Sequence, residues 1–313
     1  MSMAERDGWI WMDGDFCPWQ EAKVHVLTHG LHYGSGVFEG LRIYKTAHGP
    51  AIFRLRDHTR RFFASAKILG MKIPFDENTL LEAQVEVVRK NRLESGYLRP
   101  IAFFGSDKMG VSAIGNRVCV SIACWPWSAY LGEEALEKGI RVKTSSYRRV
   151  PVDCLHPRAK ATGMYLQSVL AKHEALSAGY DEALFLDHEG FVAEGSGENL
   201  FVVSEGRLYT PSLGPVLRGI TRDTVAALAQ EMGLSPIETR LTVDDIYSAD
   251  EAFFTGTAAE ITPMRELDGR EIGAGKPGDI TRALQGRYFA CVHGEMEEHL
   301  SWLSFVGESN GKS

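Results

Sequence analysis

Apolar residues recur along the chain first at alternate positions, then at every third or fourth, and this switch repeats to the end. Trp9-Ile10-Trp11-Met12 and Phe16-Cys17-Pro18-Trp19 flank Asp13-Gly14, a turn pair that predicts a hairpin. Residues 37–55, VFEGLRIYKTAHGPAIFRL, predict two strands joined at His48-Gly49-Pro50. In residues 57–69, Phe62, Ala66 and Leu69 share one face, which predicts a helix. Residues 79–92 predict another, with Leu81, Val85 and Val88 on its buried side. YLRPIAFFG and NRVCVSIACW read as buried strands.

The pattern breaks at 126–139, where Pro, Ser, Gly and acids intervene, as in an interdomain loop. A strand over IRVKTSSYRRV follows, then a helix near 163–177. Hairpins are predicted at Glu189-Gly190 and Glu205-Gly206, helices over 220–232 and 242–248, a strand in EAFFTGT and a last helix near 278–290. Residues after Thr257 read as a turn into a loop. Hairpins outnumber βαβ units, so the expected class is α+β with mixed or antiparallel sheets. The expected domains are 1–125, an interdomain loop at 126–139, and a C-terminal α+β domain at 140–313.

Composition narrows the function. Of 313 residues, 44% are hydrophobic and 24% charged, as in a soluble enzyme with a sizeable core. A net charge of −7 argues against nucleic acid and anionic membranes as partners. The five cysteines include no C-x-x-C pair, which favours reduced thiols. No stretch suits a signal peptide or a membrane span, and the expected location is cytoplasmic.

Six stretches offer chemistry. Lys160 sits in HPRAKATGMYLQ between alanines, where a partly desolvated amine can act as a nucleophile and form a Schiff base; it is also one of twelve lysines, most of which lie on surfaces. Glu194, in AEGSGENLFVV, could keep a ring nitrogen protonated, or could simply flank a hairpin. Gly219 precedes a helix whose first turn, with Thr221, suits an anion; Thr255-Gly256-Thr257 could hold another. His25, His29 and His32 have metal-like spacing, but glycines at 30, 34, 36 and 40 argue against a helix that would align them, and no further ligand completes a set. No metal is expected; Tyr33 and Phe38 are better read as pocket walls. In GYLRP, Tyr97 and Arg99 face the same way and could grip a carboxylate.

Together these are the parts of a pyridoxal phosphate enzyme acting on an amino acid. The chain closely resembles the class IV aminotransferases, and within them the branched-chain amino acid aminotransferases, from about Trp9 to about Trp302. AKVHV, HGLHYGSGVFEGLR, YLRP, PWSAYLG, AKATGMY, EGSGENLF, GITRD and GTAAEITP carry the resemblance, in that order.

The resemblance implies the two-domain PLP fold type IV, the fold of D-amino acid aminotransferase, with the cofactor between the domains. It also implies a homodimer or a multiple of dimers. Lys160 matches the lysine that carries the cofactor, and Tyr165 the tyrosine on its phenolic oxygen. Glu194 matches the acid on the pyridine nitrogen. Arg61, Ile220, Thr221 and Thr257 match the phosphate site. Tyr97 and the amides of Thr257 and Ala258 match the grip on the substrate α-carboxylate, and Arg99 the receiver of glutamate's distal carboxylate. Phe38, Trp127, Tyr130 and Tyr33 resemble the side-chain pocket, with Met109 and Val111 entering from the partner subunit. The implied reaction passes an amino group from leucine, isoleucine or valine to 2-oxoglutarate, giving 2-oxo acids and L-glutamate.

Thr162 and Met164 depart from the family, which often has glycines or an asparagine there. Rivals of the same fold are (R)-selective amine transaminases, D-amino acid aminotransferases and a carbon–nitrogen lyase of folate synthesis. A rival of another class is a non-catalytic metal- or ligand-binding protein built on the three histidines.

Overall fold

The computed structural model describes residues 2–128, 131–214 and 216–307. These divide into two compact units. The first comprises Met1–Trp127, Ala159–Met164 and Cys291–Ser313; the second comprises Ser128–Arg158 and Tyr165–Ala290.

The first unit is built on an antiparallel sheet. Its strands are β1 (Trp9–Met12), β2 (Asp15–Pro18), β3 (Gly36–Phe38), β4 (Leu41–Thr46), β5 (Gly49–Phe53), β6 (Gly96–Phe104), β7 (Val118–Trp125) and the C-terminal strand Leu303–Phe305. From one edge the order is C-terminal strand, β5, β4, β6, β7, β1, β2, and β3 also pairs with β6. The β1–β2 hairpin turns at Asp13 and Gly14, both at positive φ (51° and 111°). That geometry matches the twist of paired strands and suits Asp-Gly. The helices are α1 (His29–Tyr33), α2 (Leu55–Ile68) and α3 (Glu77–Lys90). Asp76 caps α3 by accepting from Thr79 N at 2.7 Å. Phe62 and Ala66 of α2 and Leu80, Val87 and Val88 of α3 are buried with Leu41, Ile43, Ile52, Leu98 and Ile122 of the sheet.

The second unit holds a mixed nine-stranded sheet. Its elements are α4 (Glu133–Lys138), β8 (Ile140–Arg148), α5 (Tyr165–Ser177), β9 (Glu182–Leu186), β10 (Val192–Gly195), β11 (Asn199–Ser204), β12 (Arg207–Pro211), α6 (Ile220–Glu231), β13 (Ile237–Thr239), α7 (Val243–Tyr247), β14 (Glu251–Gly256), β15 (Glu260–Leu267), β16 (Arg270–Glu271) and α8 (Asp279–Val292). The order is β10, β9, β8, β15, β14, β11, β12, β13, with β16 on β15. β8 runs parallel to β9 and β15, and β12 parallel to β13. Its main core joins Val142, Leu184, Leu200, Phe254, Met264 and Leu267.

Several expectations are corrected. Residues 37–55 form three strands: β3 and β4 run along β6 in one register, interrupted at Glu39 and Gly40, and β4 and β5 turn at 47–48. A short helix, α1, does form over His29 and His32, though not His25; Gly30 lies inside it and Gly34 ends it at φ 61°. The turn expected after Thr257 forms over 257–259, but it leads into the strand β15 and not a loop; within β15, Pro263 precedes the first residue paired with β8, Met264. The stretch 126–139 contains α4. The segment carrying Lys160 belongs with the first unit, unlike the expected single domain over 140–313, because its backbone bonds to β3 and α2. No helix among the described residues is long and apolar enough to cross a membrane.

Candidate active site

In the first unit, the Lys160 segment lies along β3. Phe38 N donates to Lys160 O at 3.0 Å, Val37 and Ala161 form a β-bridge, and Gly163 N donates to Gly34 O at 3.0 Å. Thr162 Oγ1 donates to Gly34 O at 2.7 Å. From the other side, Lys160 N donates to Ser65 Oγ of α2 at 3.0 Å. Both backbone groups of Lys160 are thus fixed. Ala159 and Ala161 are buried, which explains the lean flanks: larger side chains would collide with the strand and helix that hold them. The amine lies 5.2 Å from the centre of the Phe38 ring.

Phe38 also faces Arg99, whose guanidinium carbon is 4.8 Å from the ring centre and 5.4 Å from that of Tyr97. Arg99 Nε is buried and makes no hydrogen bond among the described residues. Such an orphan donor suits an incoming carboxylate. The Tyr97 ring meets Trp127 edge-on at 4.5 Å. Its hydroxyl occupies the space of the missing Gly40 side chain; a Cβ there would stand 1.8 Å from the oxygen. Arg42, opposite Tyr97 in β4, donates to Trp127 O at 3.5 Å.

Arg61 of α2 is held by Glu39. Nε donates to Oε1 at 2.6 Å and Nη2 to Oε2 at 2.8 Å, while His58 Nδ1 lies 2.7 Å from Oε2. Burial alone would raise the Glu39 carboxyl, but Arg61 and His58 outweigh it and hold the group well below the usual carboxylate range. Burial lowers His58, Glu39 partly offsets this, and Arg61 and Lys160 add to the lowering.

In the second unit, Glu194 sits in β10, where the register with β9 shifts between Val192 and Gly195, so its carboxylate leaves the regular ladder. Arg149 Nε lies 2.9 Å from Glu194 Oε1, an ion pair without linear hydrogen-bond geometry. Arg149 is itself fixed by Ser168 Oγ and the carbonyls of Gly195 and Ser196, over the Phe185 ring at 4.0 Å. The other Glu194 oxygen accepts from Leu217 N at 3.2 Å and Asn199 Nδ2 at 3.4 Å.

Asn199 extends to the start of α6. Its Oδ1 stands where a Cβ on Gly219 would come within 1.9 Å, so only glycine fits. Gly219 provides no side-chain cap, and Ile220 and Thr221 form the first turn of this twelve-residue helix. Backbone amides there, with the helix dipole and the Thr221 hydroxyl, are groups that could hold an anion. Thr257 and Ala258 follow β14 directly. Tyr165 is the half-buried first residue of α5. Glu198 is buried behind Glu194, with burial first and the Glu182 charge second pushing its carboxyl up to about 8. Glu182 itself pairs with Lys172 at 2.6 Å.

The first unit therefore brings together Lys160, Phe38, Arg99, Tyr97 and Trp127, with Arg61 on the helix behind. Tyr33, by contrast, is exposed and packs on His29 at 4.5 Å. Met109 and Val111 are exposed on the loop between β6 and β7. Tyr130 lies outside the described residues. The three histidines do not converge: His29 bonds Ser35 Oγ and Gly110 O, His32 bonds Val26 O, and His25 accepts from Leu27 N. Sequence reasoning missed Glu39, His58, Ser65, Arg149 and Asn199, which reach the predicted residues only through tertiary contacts. The one available signal was Glu39, an acid inside the apolar run VFEGL.

The Amino-transferase class IV family pattern matches residues 36–267. A branched-chain-amino-acid aminotransferase of Pseudomonas aeruginosa is 55% identical over 306 residues, covering 98% of this chain and all of its relative. The branched-chain amino acid aminotransferase of Escherichia coli superposes with a TM-score of 0.94 at 44% identity, over 96% of this chain and 100% of the other. The branched-chain amino acid aminotransferase of Thermobaculum terrenum, solved in its PLP-form, gives 0.91 at 37% identity, over 97% and 99%.

Proposed function

Because the chain belongs to the class IV aminotransferases, we propose that it moves the amino group of leucine, isoleucine or valine to 2-oxoglutarate, using pyridoxal 5'-phosphate. One observation carries the substrate reading. The Lys160 amine and the Arg99 guanidinium lie on the same ring, 5.2 and 4.8 Å from the centre of Phe38. A proton-transfer group and a carboxylate receptor thus share one apolar wall. A branched alkyl side chain packs on that wall, while the side-chain carboxylate of glutamate reaches Arg99, whose Nε makes no hydrogen bond among the described residues. Dual specificity follows from one pocket with a charged edge.

The cofactor supplies a carbonyl that exchanges with the substrate amine and a ring that accepts the electrons released at Cα. Lys160 would hold the cofactor through its amine, and that amine, when free, would be the base that takes the Cα proton and the acid that returns it on the cofactor side. Glu194, paired with Arg149, holds the proton on the ring nitrogen. Tyr165 donates to the ring oxygen. Arg61, the amides of Ile220 and Thr221, and the hydroxyls of Thr221 and Thr257 hold the phosphate. Tyr97, with the amides of Thr257 and Ala258, orients the α-carboxylate, so that the Cα–H bond faces Lys160.

The enzyme acts as a homodimer or a multiple of dimers, with Met109 and Val111 reaching the partner's pocket. Their exposure in the single chain, 45% and 88%, supports this. L-leucine, D-alanine and (R)-1-phenylethylamine, each paired with 2-oxoglutarate, test the assignment. L-leucine should give the largest kcat/KM. Preference for either other donor would overturn the substrate class.

A further inference from the structure

Glu39 has no role in the chemistry above, yet it is completely buried and charged. It sits in the two-residue break between β3 and β4, with its backbone N–H fixed to Pro100 O at 2.9 Å. Its two oxygens take two parallel bonds from one edge of the Arg61 guanidinium. That fork fixes both the plane and the direction of the group. His58 lies one helical turn before Arg61 on α2 and steadies Oε2. The carboxylate can only accept, so Nδ1 carries the hydrogen. Gly40 N adds a longer bond to the same oxygen at 3.3 Å.

The arrangement has an opposing effect. A carboxylate against Arg61 cancels charge that would otherwise attract a phosphate dianion. A site tuned for charge alone would leave the guanidinium unopposed. This one gives up charge and fixes direction, which a dianion needs for short, linear bonds.

We infer that Glu39 and His58 are positioning residues that aim the Arg61 guanidinium at the phosphate of pyridoxal 5'-phosphate. This rests on the reading that Arg61 binds that phosphate. Glu39→Gln isolates the effect. However its amide turns, an NH₂ group faces either Arg61 Nε–H or the donors of Arg61 Nη2 and His58, so the guanidinium is pushed off line.

Pyridoxal 5'-phosphate and pyridoxal, which lacks the phosphate, are titrated into the cofactor-stripped full-length chain, followed by tryptophan fluorescence. Wild type should strongly prefer the phosphorylated form, and Arg61→Met should lose most of that preference. Glu39→Gln should weaken pyridoxal 5'-phosphate binding about tenfold and leave pyridoxal nearly unchanged, as when the partner of a ligating group is removed. A purely structural defect would weaken both. If Arg61→Met loses the preference while Glu39→Gln keeps or increases it, the inference is overturned and the reading of Arg61 stands. If Arg61→Met keeps the preference, that reading fails and the inference with it. Should Glu39→Gln not fold, Glu39→Asp serves: it keeps the charge but withdraws it from the fork, and the same selective loss is expected. An unchanged ratio there overturns the inference.

Discussion

Lys160 is the one ionisable side chain between Ala159 and Met164. Lys160→Ala should still take up the cofactor through the phosphate and ring contacts. Its transamination rate should fall about 10³-fold or more, read in single-turnover assays with L-leucine. Near-normal turnover would refute the assignment. Arg149→Met leaves Glu194 buried without its cation, and chemical denaturation should show a loss of about 3 kcal/mol. Glu198 predicts a pH effect of definite sign. It keeps its proton up to about pH 8 when folded, but loses it near about pH 4.3 when unfolded. The folded chain therefore binds the extra proton across that window, and stability falls as pH rises through it. Glu198→Gln should remove this contribution. Calorimetry should show the variant's melting temperature gaining on wild type from about pH 5 to about pH 8.

At the scale of elements, Gly40 in the break between β3 and β4 makes room for the Tyr97 hydroxyl. Gly40→Ala should displace that phenol and lower kcat/KM for L-leucine by about 10-fold to 100-fold, measured in steady state. Strands and helices with regular periodicity were legible: the β1–β2 hairpin, α2, α3, α6 and the hairpins at Gly190 and Gly206 all lie where apolar spacing and turn pairs put them. β15 was not, because the small residues after Thr255-Gly256-Thr257 read as a turn into a loop; the turn in fact closes a tight β14–β15 hairpin, and the other partner, β8, comes from distant sequence. α1 was hidden because Gly30 weakens a helix locally, although Gly105 O and Ser35 Oγ hold His29 in place. In the site, Lys160, Glu194, Tyr97 and Arg99 stood out through their motifs. Glu39 and Arg149 did not, since neither pattern nor spacing reveals which charge a fold will bury against another.

For the whole molecule, Val26, Leu31, Val111, Ile114 and Leu166 are 64–88% exposed in the single chain. The dimer proposed above predicts that a partner covers such groups. Sedimentation should give an even multiple of 34.7 kDa, and Val111→Asp should shift the distribution to lower mass. A wild-type monomer would contradict the assembly. The first unit is assembled from three stretches of chain, the last reaching residues 303–305 on its sheet edge. β1 to β7 come from residues 9–125, but the strand beside β5 comes from residues 303–305, and the strap that carries Lys160 comes from between them. Residues 9–125 can therefore assemble most of this sheet, but they neither cover the outer side of β5 nor supply the Lys160 strap that lies along β3.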